Sequence, residues 1–292
     1  MKMIRLFVTL VILLIAFGAA LYTQRVDVME WYRDVTASVL PEAVGYEEVE
    51  EGQEGHEVEE VDQVEKVDEV VEEETEIQEE ALDESVPSDP LVTENTTNEV
   101  ALTAVNLAVP FTPQAPHANW SAPYKEACEE ASVYMVHRFY EGTPEGLMNA
   151  DKSDRDLLQI VAFEQELFGY YEDTTIEQTA TFAELMFGYA TAIAENPTVN
   201  DIKAQLILGH PVIVPAAGRE LGNPYFTAPG PIYHMLVIRG FTDEGQFIVN
   251  DPGTSRGEAY LYDFDTIMNA MHDWNNGEEI TAGRKVVLIL TP

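Results

Sequence analysis

Cysteine, basic residues and long apolar runs are all scarce in this chain. One of its 292 residues is cysteine, so no internal disulfide can form and the fold must rest on its core. Fifteen Lys and Arg stand against 53 Asp and Glu, a formal net charge of −38. So few cations leave no basic footprint for nucleic acid, which is not expected as a partner. Bulk attraction to anionic lipid is not expected either. The six histidines show no pair at a zinc-ligand spacing, so neither a metal nor another cofactor is expected. Residues 6–24 form an uncharged and mainly apolar stretch of about the 20 residues needed to cross hydrocarbon.

Composition divides the chain into four parts. Residues 1–25 hold the apolar run behind Lys2 and Arg5, which favours a cytoplasmic N-terminus with everything after it outside. This reads as a single-pass anchor in the cell membrane. Ala16-Phe-Gly18 and Gly18-Ala-Ala20 resemble small-residue cleavage sites, so a product secreted after signal cleavage is the alternative. No cysteine stands directly after the run, which excludes a bacterial lipoprotein anchor. Residues 26–41 form a short juxtamembrane segment. Residues 42–104 are acidic: 24 acids stand against the single Lys66 over residues 42–100, and Val recurs every third position from Val58 to Val70. That period suits neither an amphipathic helix nor a strand. The segment reads as a disordered, self-repelling linker, a stalk for whatever follows. Residues 105–292 carry nearly all the aromatics and form a globular domain large enough to bury its own core.

A lone thiol outside a membrane points to chemistry or an intermolecular bond, with a buried inert thiol as the plain alternative. Its surroundings favour chemistry. Cys128 lies in Tyr124-Lys-Glu-Ala-Cys-Glu-Glu-Ala-Ser132 and precedes an apolar-periodic run, which predicts a helix from Cys128 to about Tyr140. A helix start offers unpaired N–H groups and a partial positive charge, and both favour the thiolate. Glu129 and Glu130 oppose that effect, so activation is expected to depend on an ion pair with a histidine. His234 enters a predicted strand and is the expected general base and later acid. Asp251 ends another strand at Asn250-Asp-Pro-Gly253 and is expected to orient the imidazole. Asn250 is its rival, but strand alternation sends neighbouring side chains to opposite faces. Gln114, after Val109-Pro-Phe-Thr-Pro, is the expected oxyanion donor, a contribution of about 3 kcal/mol where such a donor acts. Trp120, Tyr225, Phe226 and Tyr233 are weaker candidates for the substrate cleft.

Between these residues the pattern predicts helices over 154–168, 176–193 and from Thr198 or Asn200 to Leu208, with His272 on a further helix. Strands are predicted at 212–214, 235–238, 247–249 and 286–290. Helices followed by antiparallel strands make an α+β fold. The nucleophile helix would then pack on the sheet that carries His234 and Asp251.

Val109-Pro-Phe-Thr-Pro-Gln-Ala-Pro116, Asn119-Trp120, Ala127-Cys-Glu-Glu-Ala-Ser132, Gly209-His-Pro-Val-Ile-Val214, Tyr233-His-Met-Leu-Val-Ile238 and Asn250-Asp-Pro-Gly253 resemble the bacterial peptidase family thirty-nine-like domain. This is a papain-like fold related to double-glycine leader peptidases. Glu129-Glu130 depart from the small residues usual after its cysteine. The resemblance implies Cys128 as nucleophile, His234 as base, Asp251 as orienting residue and Gln114 in the oxyanion hole. It implies an extracytoplasmic cysteine peptidase that hydrolyses peptide or isopeptide bonds through a thioester acyl-enzyme. The partner would be a peptide or protein substrate, cell-wall peptide included, with the membrane reached through the N-terminal helix. A catalytically silent surface binding module and a thiol acyltransferase are the rival readings.

Overall fold

The computed structural model describes residues 40–46, 49, 104–277 and 279–292. The expected membrane anchor and nearly all of the acidic linker lie outside the described residues. Among the described residues no helix is long and apolar enough to cross a membrane.

The helices start where short polar side chains can accept from free backbone N–H groups. Helix α1, Cys128–Tyr140, departs from this: its N-cap is Ala127, with no side-chain cap. Helix α2, Ala150–Phe168, is capped by Asn149 and stops at Gly169 in the left-handed conformation. Helix α3, Ile176–Phe187, opens with a Thr175–Gln178 capping box. Helix α4, Val199–Ile207, opens with a Thr198–Asp201 box, which settles the choice of cap on Thr198.

The predicted helix over 176–193 is too long. Gly188 ends α3 at a φ of 82°, and the chain continues as strand β2, Ala190–Glu195. Ala190–Glu195 is an edge strand whose pairing with Val286–Thr291 overrides a weak helical pattern. His272 also lies off the predicted helix. The short helix α5, Phe264–Ala270, ends before it, and the His272 N–H bonds Pro215 O.

Six further strands complete an antiparallel sheet. They are β1 Val105–Asn106, β3 Val212–Ala217, β4 Tyr233–Phe241, β5 Gln246–Asn250, β6 Tyr260–Asp263 and β7 Val286–Thr291. Their order is β2-β7-β3-β4-β5-β6, with β1 paired to the end of β4. All residues of β3 and β4 are buried, so both faces of the sheet centre are covered. Helix α1 packs on β4. Met135, Val136 and Phe139 of α1 share one core with Leu236, Ile238, Val249 and Leu288 of the sheet. Each such side chain, fully buried, contributes about 1.5–3 kcal/mol. Gly240 permits β1 to approach: a Cβ there would stand 2.2 Å from Val105 O.

Residues at the start of the assigned acidic linker lie on this domain. Val44 N–H donates to Asn106 O at 2.8 Å, and Ala108 N–H donates to Val44 O at 2.7 Å. Asn106 Nδ2 donates to Pro41 O at 2.9 Å, and Tyr46 packs edge-on against Phe139 and Tyr140. The domain boundary at residue 105 therefore omits a segment that forms part of the packed body.

Candidate active site

Helix α1 and strand β4 bring the sequence-predicted residues to one cleft of about 490 Å³. Gln114, Trp120, Cys128, Tyr225, Tyr233 and His234 all line it. Asp251 lies behind His234 and is fully buried.

His234 is the second residue of β4, opposite Ala216 of β3, and is 1 % exposed. Its Nε2 lies 2.7 Å from Asp251 Oδ1. Asp251 follows the last residue of β5, and its N–H donates to Gly257 O. Four donors serve its carboxylate: His234 Nε2 and Gly253 N–H at Oδ1, and Asn223 Nδ2 and Tyr262 OH at Oδ2. Burial pushes the Asp251 carboxyl up, but the His234 ring and the bonds from His234, Tyr262 and Gly253 N–H outweigh it and hold the group below its ordinary value. A carboxylate so held keeps a proton on Nε2, which makes Nδ1 the ring nitrogen able to accept one. Asn250 is not a rival: its amide donates to Val109 O and Pro110 O and accepts from Ala259 N–H, tying the loop before Gln114 to the sheet.

Cys128 is the first residue of α1 and is 6 % exposed. Its thiol donates to Glu129 Oε2 at 3.0 Å, while Glu129 Oε1 accepts from Thr174 N–H at 3.1 Å. Burial pushes the Cys128 thiol up, and the neighbouring Glu129 pushes it further. The sequence expectation of activation through an ion pair with His234 thus omits the thiol's bond to Glu129. First-turn glutamates normally face solvent; here Glu129 and Glu130 are 1 % and 0 % exposed. Glu130 meets Glu164 of α2 carboxyl to carboxyl, and burial, then the neighbouring Glu164, pushes Glu130 up.

Gln114 is buried. Its Nε2 donates one amide hydrogen to Tyr124 O at 2.8 Å, and its backbone N–H donates to Pro252 O. The side chain is therefore fixed on the cleft wall between the cysteine loop and the aspartate loop. Tyr233 is buried, and its OH donates to Thr174 O, so its part is to hold β4. Trp120 is 41 % exposed and Tyr225 half-buried beneath the Arg256 guanidinium. The cleft also takes in Phe226, Thr254, Ser255 and Arg256, which sequence reasoning missed except for Phe226; their signal was the turn after Asn250-Asp-Pro-Gly253. Asn223 and Tyr262 were missed as well, and nothing local marks them. Among the described residues the other histidines have other partners: His117 pairs with Asp151, His137 with Tyr189, His210 with Gln205 and His272 with Gly283. Among the described residues no group of His, Cys, Asp and Glu could hold a metal ion.

The Peptidase_C39 like family model matches residues 106–280, which includes every residue of this cleft. The chain belongs to that family. Among solved structures it is similar to a C39-like peptidase from Bacillus anthracis, at 12 % identity and a TM-score of 0.43, over 65 % of this chain and 98 % of that one. It is also similar to the peptidase domain of Streptococcus ComA, a bi-functional ABC transporter of a quorum-sensing pathway. That match has 15 % identity and a TM-score of 0.36, over 57 % of this chain and 93 % of that one. No curated protein matches. Family membership points to a cysteine peptidase, and the α+β body with its antiparallel sheet is consistent with the C39-like, papain-like fold.

Proposed function

We propose that this C39-like domain is a cysteine peptidase that hydrolyses peptide or isopeptide bonds. The observation that carries the reading is the 2.7 Å bond between His234 Nε2 and Asp251 Oδ1 at the wall of a cleft that Cys128 also lines. His234 Nδ1 takes the thiol proton, and Cys128 Sγ attacks the carbonyl carbon. The carbonyl oxygen, now charged, is stabilised by Gln114 Nε2–H and the Cys128 N–H. His234 returns the proton to the leaving amine as the C–N bond breaks, and a thioester is left on Cys128. A water then gives a proton to Nδ1 and attacks the thioester, releasing acid and thiol. Asp251 keeps the tautomer and stabilises the imidazolium throughout.

We place this activity outside the cell membrane, on the strength of Lys2 and Arg5 ahead of the apolar residues 6–24. Anchored and secreted forms would expose the domain alike, and cell-wall peptide is then a reachable substrate. Added protease should digest the domain on intact cells; protection from it would refute the placement.

The experiment is labelling of the purified protein with a peptide-like thiol probe, with Cys128→Ala and His234→Ala as controls. Labelling that needs both residues, followed by cleavage of a peptide library, supports hydrolysis. Failure to label refutes the reading. The bond from the thiol to Glu129 favours one rival, a binding module without turnover, which would label slowly and cleave nothing. Transfer to an added amine in place of water would identify an acyltransferase.

A further inference from the structure

We propose that Glu129 is a catalytic proton holder at the nucleophile: its Oε2, 3.0 Å from Cys128 Sγ, decides by carrying or lacking a proton whether the sulfur can become a thiolate. This rests on Cys128 being the nucleophile.

The geometry separates the two oxygens of one carboxyl. Oε1 accepts from Thr174 N–H, an acceptor role that a carboxyl keeps in either protonation state. Oε2 is then the oxygen that gains or loses the proton, and Sγ is its neighbour. Thr174 O in turn accepts from Tyr233 OH, so the backbone of one residue holds both the residue after the nucleophile and the residue before the base. The arrangement is closed to water: Glu129 is 1 % exposed and Thr174 is fully buried.

The groups facing Glu129 are acidic or neutral. Cys128 and Glu130 lie on its own helix, Glu164 on α2, Asp173 in the loop before α3 and Tyr233 on β4. Burial, then Glu130, holds the Glu129 carboxyl well above its usual range, which favours the protonated form.

Two states follow, and they differ by one proton from solvent. In the first, Glu129 is ionised, the thiol donates to Oε2 and His234 is neutral. Removing the thiol proton from this state would place two negative charges 3.0 Å apart. In the second, Oε2–H donates to Sγ, the thiol proton has moved to His234 Nδ1, and the sulfur is a thiolate paired with an imidazolium. No like charges then adjoin at Sγ. The competent state holds the extra proton, so reactivity falls as pH rises through the titration of Glu129.

Glu129→Gln tests this, because an amide keeps the acceptor for Thr174 N–H and makes the donor to Sγ permanent. Cys128 alkylation in the variant should lose its alkaline fall and run about tenfold faster than wild type about one pH unit above the point where the wild-type rate begins to drop. The alkaline limb of kcat/KM should extend upward in step. An alkaline fall that persists unchanged in the variant overturns the proposal. Wild-type protein that never labels at any pH overturns the nucleophile reading instead. If Glu129→Gln fails to fold, the wild-type infrared difference spectrum on alkylation gives the answer. A protonated-carboxyl band that shifts, and is assigned to Glu129 by its displacement in Glu129→Asp, supports the proposal; a spectrum without that band overturns it.

Discussion

Gly253 lies against the His234 ring with no room for a methyl group. A Cβ on it would stand 2.8 Å from His234 Cε1 and 3.0 Å from Nε2, and it would also meet Phe226 at 2.8 Å. Phe226 itself packs edge-on to the imidazole. The ring is thus held from one side by Asp251 and from another by a backbone segment that Phe226 backs.

Gly253→Ala should therefore disturb the base without disturbing the fold. The ring must turn away from its bond to Asp251, and a displacement of this order costs about 10²-fold where proton transfer is positioned. Thermal unfolding should change little, and a thiol probe should still reach Cys128. Kinetics on the variant beside its circular dichroism would check this; unchanged kcat/KM would show that the ring is not under this constraint.

Asp251→Asn should be more severe. It replaces an acceptor of four hydrogen bonds with an amide that presents a donor to Tyr262 OH or to Nε2. Turnover should fall by about 10⁴-fold through the wrong tautomer. Tyr262→Phe removes one donor of four and should cost about 1 kcal/mol of stability, with a much smaller loss of rate. Because the folded Asp251 carboxyl lies below its ordinary 3.8, its contribution to stability is present above that value and is lost as pH falls through the lowered one.

Gln114→Ala should lower kcat by about 10²–10³-fold and leave KM nearly unchanged, the pattern of a group that acts on the transition state. It also leaves Tyr124 O without its amide partner, so a modest loss of stability should accompany it. A rise in KM with kcat intact would make Gln114 a substrate-binding residue instead.

The Glu130–Glu164 pair should make stability fall with rising pH. Burial pushes the Glu164 carboxyl up to about 9 from an ordinary 4.5. The folded state therefore holds a proton that the unfolded chain releases between those values. Its contribution is complete below 4.5 and is lost as pH rises to about 9. Urea unfolding across this range should show the decline, and Glu164→Gln should flatten it. An equally steep decline in the variant would place the effect elsewhere.

The parts of the site that were legible in the sequence are those fixed by local pattern. Cys128 opens a helix because apolar positions begin to repeat after it. His234 and Asp251 were findable because each marks a strand end. Asn223 and Tyr262 were not, since what makes them matter is a carboxylate that reaches them only in the folded chain. Glu129 was read only as a first-turn acid that opposes the thiolate; its bond to Thr174 N–H comes from a segment far along the sequence. Strand β2 was read as helix because alternation in Ala190–Glu195 is faint, and its identity comes from its partner β7.

Val44 and Leu107 stand side by side at the edge of the body, although the acidic residues separate them in sequence. The chain therefore leaves and re-enters at one place. If its beginning is moored to a surface, the tether length ends at residue 40, and the acidic excursion adds nothing to it. Shortening that excursion should leave the domain's working height unchanged, whereas insertions before residue 40 would raise it.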